Sequence, residues 1–195
     1  MNSEDKNRVF IAIDIDEEVQ QRLADIQGKL QKCDADVRWV VPENIHLTLR
    51  FLGYVSHLKC IFKATEDSVC DIEPFKLFLS KIGVFPDLKR PRVIWAGIKE
   101  SKILSVISQN LSGLLKQCGF PEDKRDYHPH LTLGRVRSSK NKEGLVRAIE
   151  INENWDGGLL MAKKIKVMKS ILKSEGAQHS SLHIVEIGKK GANKR

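Results

Sequence analysis

Two histidines and two threonines of this 195-residue chain stand in one tetrapeptide that occurs twice, His46-Leu47-Thr48-Leu49 and His130-Leu131-Thr132-Leu133. Only one threonine lies outside these segments, so chance explains the repeat poorly. Imidazole, with an ordinary pKa near ~6.5, gives or takes a proton near neutral pH. Threonine hydroxyls donate hydrogen bonds to phosphate oxygens as charge develops there. The repeat therefore predicts acid–base chemistry at phosphorus.

Alternation along a strand explains how both segments would present these groups. Residues i and i+2 share one face of a strand, so each histidine would project with its threonine while the leucines enter the core. Two such strands side by side would form a cleft in which one imidazole takes the attacking group's proton and the other protonates the leaving oxygen. No carboxylates or thiols with metal-ligand spacing lie nearby, and we expect neither a metal nor a cofactor.

The elements that position these residues follow from apolar periodicity, turn residues and helix caps. Strands are predicted over 8–15, 37–41, 45–53, 75–85, 92–98, 130–136, 164–173 and 181–188. Helices are predicted after Asp16, Ser56 and Ser101 as N-caps and over 140–151. Single helices between strands favour an α+β class with two small, mostly antiparallel sheets.

The composition, with 41% hydrophobic and 30% charged residues, is that of a globular protein with a real core. No apolar run approaches the ~20 residues that span a bilayer, and no export signal is evident, so we expect a cytoplasmic protein without membrane contact. The net charge of +8 favours a polyanionic partner, although part of it lies in a basic tail, 189–195. The four cysteines lack metal-ligand spacing and are predicted to be reduced thiols.

Five blocks of the chain resemble one known family: residues 8–13, 40–53, 83–86, 90–95 and 128–135. Together they are similar to the two-histidine (HxTx) phosphoesterases, in particular the LigT-like RNA 2′,3′-cyclic phosphodiesterases. The resemblance implies a single bilobal domain over 1–188, with one HxTx motif from each lobe facing a central cleft. It implies a substrate with an RNA or nucleotide 2′,3′-cyclic phosphate.

The same resemblance implies a role for each motif residue. His130 would accept the proton of water and His46 would give a proton to the leaving 3′-oxygen, leaving a 2′-phosphate. Thr48, Thr132 and Arg135 would hold the phosphate. The reverse reaction would join a 5′-hydroxyl end through a 2′–5′ linkage.

Two positions depart from a simple pattern. Arg135 lies five residues after His130, so a regular strand would turn it towards the leucine face; a β-bulge at Gly134 would restore its aim. Residues 176–179, Gly-Ala-Gln-His, also lack the Gly-Pro-x-Tyr that the family pattern leads us to expect.

Other readings stay open from the sequence. The cleft would equally suit a module that binds RNA ends without turnover, or an enzyme for another cyclic phosphate or a 2′–5′ oligonucleotide. Tyr127 is expected either to stack on a base or to pack at the cleft rim. We predict a monomer without an obligate protein partner. The residues predicted to have structural or surface roles are His57, His128, His179, His183, Trp39, Trp95 and Trp155.

Overall fold

The computed structural model describes residues 7–122, 127–173 and 176–189, and in these ranges the chain forms nine strands and four α-helices. The strands are β1 (Asn7–Ile13), β2 (Val37–Trp39), β3 (Leu47–Val55), β4 (Phe75–Phe85), β5 (Val93–Ile98), β6 (His130–Val136), β7 (Asp156–Ala162), β8 (Lys164–Lys173) and β9 (Gly176–Glu186). The helices are α1 (Glu17–Gln31), α2 (Lys59–Asp67), α3 (Lys102–Gln117) and α4 (Lys142–Ile151).

The described strands form one curled antiparallel sheet in the order β7-β4-β5-β6-β3-β1-β8-β9, with β2 added to β6. The α+β class is confirmed. The prediction of two separate sheets is wrong, because β3 and β6 are joined at one residue pair, Leu47 with Leu131. That narrow link divides the sheet into two halves, and each half contributes one HxTx strand. The bilobal arrangement itself stays a prediction.

Helix α1 shows how the amphipathic stripe builds the core. Asp16 accepts a hydrogen bond from the Val19 backbone N–H at 2.9 Å, which confirms the predicted N-cap. The stripe facing the sheet is buried almost completely: Val19, Leu23, Ile26 and Leu30. Helix α1 packs against β7 and α4, whereas α2 packs against α3, β8 and β9.

Three local predictions were wrong. Ser56 does not cap α2, whose N-cap position is Leu58 without a side-chain bond. In α3 the capping role of Ser101 is confirmed, and Ile107 and Leu111 of the predicted apolar stripe are buried, but Leu104 and Leu115 are buried in place of the predicted Ile103 and Leu114. Strand β7 was missed altogether, and β9 begins at Gly176, earlier than predicted.

A disulfide joins Cys60 of α2 to Cys118 at the end of α3, with 5.9 Å between the two Cα atoms. The prediction of four reduced thiols is therefore wrong for this pair, while Cys33 and Cys70 are free. Packing of α2 on α3 brings together two cysteines that are 58 residues apart.

Two remaining expectations concern the tail and the membrane. Of the predicted tail, only Lys189 belongs to the described residues, where it forms an ion pair with Glu186. Among the described helices, none is both long and apolar enough to cross a bilayer.

Candidate active site

The link between β3 and β6 brings the two repeated segments together. By the register of the Leu47–Leu131 pair, His46 lies opposite Thr132 and Thr48 opposite His130. Both leucines are fully buried, so the four partly buried polar side chains occupy the other face. We call these four residues the HxTx quartet. The histidines lie on its diagonal, close enough for the charge of His130 to contribute to the lowered pKa of His46.

Both histidines are held by the same local bond. The Nδ1 atom of His46 lies 2.8 Å from the Asn44 carbonyl oxygen, and that of His130 lies 2.7 Å from the His128 carbonyl oxygen. Because a carbonyl only accepts, Nδ1 carries the proton in each ring. The neutral imidazoles therefore have an unprotonated Nε2, ready to accept a proton from a reacting group.

The turn before each histidine explains this arrangement. A single 3₁₀ turn, Pro42–Asn44, precedes His46 and directs the Asn44 carbonyl back towards the ring. On the other strand Pro129 stands between His128 and His130. The structural role predicted for His128 agrees with its carbonyl bond to His130, while its side chain is exposed.

His46 is the more enclosed of the two rings. It stacks on Phe10 at a centroid distance of 4.6 Å and meets the edge of His179 at 5.2 Å. Burial lowers the pKa of His46 to about 4, a shift opposed by the Asn44 carbonyl and assisted by the charges of His179 and His130. The free protein thus holds His46 neutral at pH 7.

His130 lies in a different environment. Its ring meets Phe85 edge to face at 5.0 Å. Burial lowers its pKa, the His128 carbonyl opposes that change, and the positive charge of Arg135 adds to it. Burial and the Arg135 charge thus both favour the neutral ring, which is the form that accepts a proton.

Arg135 reaches this face because of a β-bulge. Thr132 pairs with Trp95 and Gly134 with Ile94, so Leu133 is the extra residue on β6. The bulge changes the parity of the strand, and Arg135 is exposed whereas Leu133 is buried. The predicted bulge beside Gly134 is confirmed.

Two neighbours stabilise the bulge. The buried Gln27 side chain donates to the Leu133 carbonyl at 2.8 Å and to the Val40 carbonyl at 2.7 Å. A Cβ at Gly134 would lie 2.7 Å from a Val37 methyl group, so the position requires glycine.

The threonines of the quartet carry hydroxyl groups that have no hydrogen-bond partner within the described ranges, although both residues are half-buried. Tyr127 donates its hydroxyl to the Thr48 carbonyl at 3.2 Å. Burial raises the pKa of Tyr127 and keeps it protonated. These contacts support the packing role considered for Tyr127, and stacking on a base stays a prediction.

Sequence reasoning missed one residue of the site. His179 was expected to have only a structural or surface role, yet its ring contacts both Phe10 and His46. The one signal in the sequence is that His179 ends the segment 176–179, which departs from the family pattern; its contacts could not be predicted because its neighbours come from distant strands. The other two histidines without a motif lie outside the site: His57 is exposed, and His183 stacks on Phe62 and pairs with Glu66 at 2.8 Å.

Two cavities flank the quartet. The first, which we call the His46 cavity, includes Asn44, His179 and Lys166, whose ammonium group contacts Asp14 at 2.6 Å. The second, the His130 cavity, is lined by Ser80, Lys81, Phe85, Trp95, Gly97, Ile98, His128, Pro129 and His130. Elsewhere in the described chain, as here, no three His, Cys, Asp or Glu residues are grouped as metal ligands would be.

Comparison with known proteins identifies the class. A sequence profile described as "LigT like Phosphoesterase" matches residues 13–95. An RNA 2′,3′-cyclic phosphodiesterase of Methanothermobacter thermautotrophicus is 32% identical over 184 residues, covering 93% of this chain and 100% of that protein.

Solved structures agree in fold. The crystal structure of TT0787 from Thermus thermophilus has a TM-score of 0.78 at 22% identity, over 95% of this chain and 100% of that one. E. coli LigT complexed with 3′-AMP has a TM-score of 0.70 at 23% identity, over 94% and 99%. The chain belongs to the LigT-like phosphoesterases, and the family resemblance predicted from the two HxTx segments is confirmed.

Proposed function

We propose that this protein is an RNA 2′,3′-cyclic phosphodiesterase that hydrolyses the cyclic phosphate to a 2′-phosphate. The observation that carries the proposal is the HxTx quartet, two imidazoles and two hydroxyls on one face of one sheet. The full-length relative that is named for this activity supports the choice of substrate.

In the proposed mechanism water attacks phosphorus from the side of His130. The Nε2 atom of His130 takes the water proton while the bond from phosphorus to the 3′-oxygen breaks. His46 gives a proton to the leaving oxygen on the opposite side. The Thr48 and Thr132 hydroxyls donate to the non-bridging oxygens, and Arg135 adds positive charge next to His130.

The hydrogen bonds from the Nδ1 atoms of His46 and His130 to backbone carbonyls are consistent with these acid and base roles. Each ring is fixed by a backbone carbonyl and so directs the same atom, Nε2, towards the phosphate. The Arg135 charge favours the neutral form that a base requires, which supports His130 in that role. An RNA end is also the partner expected for a chain of net charge +8.

Two asparagine variants test the chemistry with little disturbance of the fold. In His46→Asn and His130→Asn the amide N–H can keep the bond to the carbonyl two residues before, while Nε2 is lost. We expect each variant to lose at least about a hundredfold in turnover of a 2′,3′-cyclic phosphate RNA end. His57→Asn, at an exposed histidine, is the matched control and should keep full activity.

The product and the metal requirement are measured in the same assay. We expect a 2′-phosphate, and we expect full activity in EDTA. A 3′-phosphate product would reverse the leaving-oxygen assignment, and turnover retained in either asparagine variant would exclude the two-histidine mechanism. Binding of the cyclic phosphate end without turnover by the unmodified protein would favour the binding module instead.

The remaining expectations are part of this proposal. They are a cytoplasmic location, a monomer without an obligate partner, a single domain over 1–188 and selectivity for RNA ends over other cyclic phosphates. A panel of 2′,3′-cyclic nucleotides, RNA ends and 2′–5′ oligonucleotides would measure the selectivity.

A further inference from the structure

Strand β3 continues beyond the quartet and carries two exposed aromatic side chains. Phe51 is 59% exposed and Tyr54 is 68% exposed. By simple alternation from Thr48, Phe51 would project to the face opposite the quartet. The pairing with β1 skips Leu49 and Leu52, however, so β3 contains two β-bulges. Each bulge reverses the alternation for the residues that follow it.

The bulges place both aromatic rings on the face of the quartet. Phe51 pairs with Phe10, and the centroids of the two rings are 5.9 Å apart. Because Phe10 stacks on His46, Phe51 lies on the same face as that histidine. Tyr54 pairs with Arg8, which is two residues from Phe10 on β1 and therefore projects with it. Arg8 and Tyr54 are thus neighbours at the end of a strip that begins at His46.

Arg8 is a half-buried cation on this strip. Burial lowers the pKa of His179, and the positive charge of Arg8 lowers it further, so the guanidinium group lies near the ring that contacts His46. No residue of the described ranges forms an ion pair with Arg8. A half-buried guanidinium group without a carboxylate partner is well suited to bind a phosphate from outside the protein.

The charges differ in the opposite direction along β1. There the strand leads to Asp14, which lines the His46 cavity together with Glu43. Asp14 contacts the ammonium group of Lys166 at 2.6 Å, so that cation is already paired. Carboxylates repel the phosphates of RNA, whereas Arg8 attracts them. An RNA chain that starts at His46 therefore has one favourable direction, towards Arg8.

The proposed chemistry brings the RNA chain to the start of this strip. His46 gives its proton to the 3′-oxygen, so the ribose of the terminal nucleoside lies on the side of His46. The preceding nucleotide is joined to the 5′-oxygen of the same ribose. Water attacks from the side of His130, and the rest of the RNA extends away from that side.

We infer that Arg8 and Tyr54 form a subsite for the penultimate nucleotide of a single-stranded RNA end. Arg8 binds the phosphate that joins the last two nucleosides, and Tyr54 stacks on the base of the nucleotide before the last. The inference rests on the proposed function and adds a substrate class to it, an unpaired RNA end in preference to a cyclic mononucleotide.

The test compares two substrates that differ only in the RNA before the reacting nucleoside. They are adenosine 2′,3′-cyclic phosphate and a single-stranded hexanucleotide that ends in the same group. The measured quantity is the ratio of kcat/KM for the hexanucleotide to kcat/KM for the mononucleotide. The fraction of folded protein cancels in this ratio, because the same active site hydrolyses both substrates. We expect a ratio of about ten or more for the unmodified protein, the size of one base–aromatic stacking contact.

Two substitutions remove the subsite without touching the quartet. Tyr54→Ser and Arg8→Gln should each lower the ratio about tenfold or to near one, with hydrolysis of the mononucleotide within about threefold of the unmodified protein. Phe51 is left unchanged, because its contact with Phe10 would extend a substitution to His46.

Each substitution has a matched control on the other half of the sheet. Phe78→Ser removes an aromatic side chain from β4 that is 47% exposed, and Arg90→Gln removes one positive charge from an exposed position. Both controls should keep the ratio of the unmodified protein. A fall with Arg90→Gln equal to that with Arg8→Gln would show that net charge, not a contact at Arg8, attracts the RNA.

Two further measurements separate the phosphate contact from the base contact. The affinity for a hexanucleotide 2′-phosphate should depend less steeply on salt in Arg8→Gln, by about 0.7 in the slope of log affinity against log salt concentration, and should keep its slope in Arg90→Gln. An RNA hairpin with a blunt, base-paired 3′ end should be hydrolysed more slowly than the hexanucleotide, because a paired base does not stack on Tyr54. An unchanged slope in Arg8→Gln, or equal rates for the hairpin and the hexanucleotide, would contradict the subsite.

The outcomes distinguish this inference from the proposed function. If the unmodified protein hydrolyses both substrates with equal kcat/KM, the subsite is refuted while the proposed function stands. If Tyr54→Ser or Arg8→Gln leaves the ratio unchanged, or slows both substrates equally, the subsite is likewise refuted. If the unmodified protein hydrolyses no cyclic phosphate, the proposed function fails and the subsite fails with it.

Discussion

Binding of a phosphate should raise the pKa of His46 by about three units. In the free enzyme burial lowers this pKa to about 4, so roughly one molecule in a thousand carries the proton at pH 7. A proton donor at that pH needs a pKa about three units higher, which corresponds to about 4 kcal/mol. Two opposite charges about 4 Å apart, at an effective dielectric constant near 20, interact by about that amount.

The assay is a nuclear magnetic resonance titration of histidine ring signals, free and saturated with a nucleoside 2′-phosphate. His46→Asn assigns the signal, and the signal of exposed His57 is the internal reference. We expect a midpoint of about 4 in the free protein and of about 7 in the complex. A free midpoint at the ordinary histidine value would refute the effect of burial on the pKa of His46. A bound midpoint that stays close to 4 while other signals report saturation would show that His46 is not the proton donor.

Three further outcomes follow from the same contacts. The folded state keeps His46 neutral down to about pH 4, whereas an unfolded histidine is protonated below ~6.5. The free energy of unfolding should therefore fall by about 3 kcal/mol in total as the pH drops through this window. In urea unfolding, His46→Asn should lack this part of the loss. His179→Ala removes an aromatic edge contact with His46 and should lower kcat up to about tenfold, whereas His179→Phe keeps the contact and should restore it; equal losses in steady-state assays would contradict a packing role. Reduction of the Cys60–Cys118 disulfide should lower the free energy of unfolding by about 2–4 kcal/mol, and a Cys60→Ser/Cys118→Ser variant should unfold in urea identically with and without reductant.

The sequence predicted correctly those elements in which the apolar pattern or the capping residue of the segment itself matches the way the segment packs. The bounds of β4 and β6 are those predicted, because both strands alternate between buried and more exposed positions over most of their length. The caps at Asp16 and Ser101 are local as well, since each side chain bonds a backbone N–H three residues later. The bulge at Gly134 was predictable because a regular strand would turn Arg135 towards the leucine face, away from the phosphate that it is expected to hold.

What the sequence could not supply depends on contacts between distant segments. Strand β7 carries Gly157 and Gly158, which weaken the strand pattern, and it is stabilised by pairing with β4. The single link between the halves of the sheet rests on one residue pair, Leu47 and Leu131, that no periodicity reveals. His179 contacts His46 only because β9 pairs with β8, which in turn pairs with β1 beside Phe10.

The two histidines are equivalent in sequence and in their backbone bonds, so the different roles proposed for them must come from their surroundings. His46 lies between Phe10 and His179, where burial disfavours its proton until an anion arrives. His130 lies beside Arg135 and meets the Phe85 ring edge to face, where burial and the Arg135 charge keep it neutral. A donor that gains its proton only with the phosphate, opposite a base that is already neutral, couples the chemistry to substrate binding. If the roles were exchanged, His130 would be the proton donor and would have to hold its proton beside Arg135. The positive charge of Arg135 opposes this.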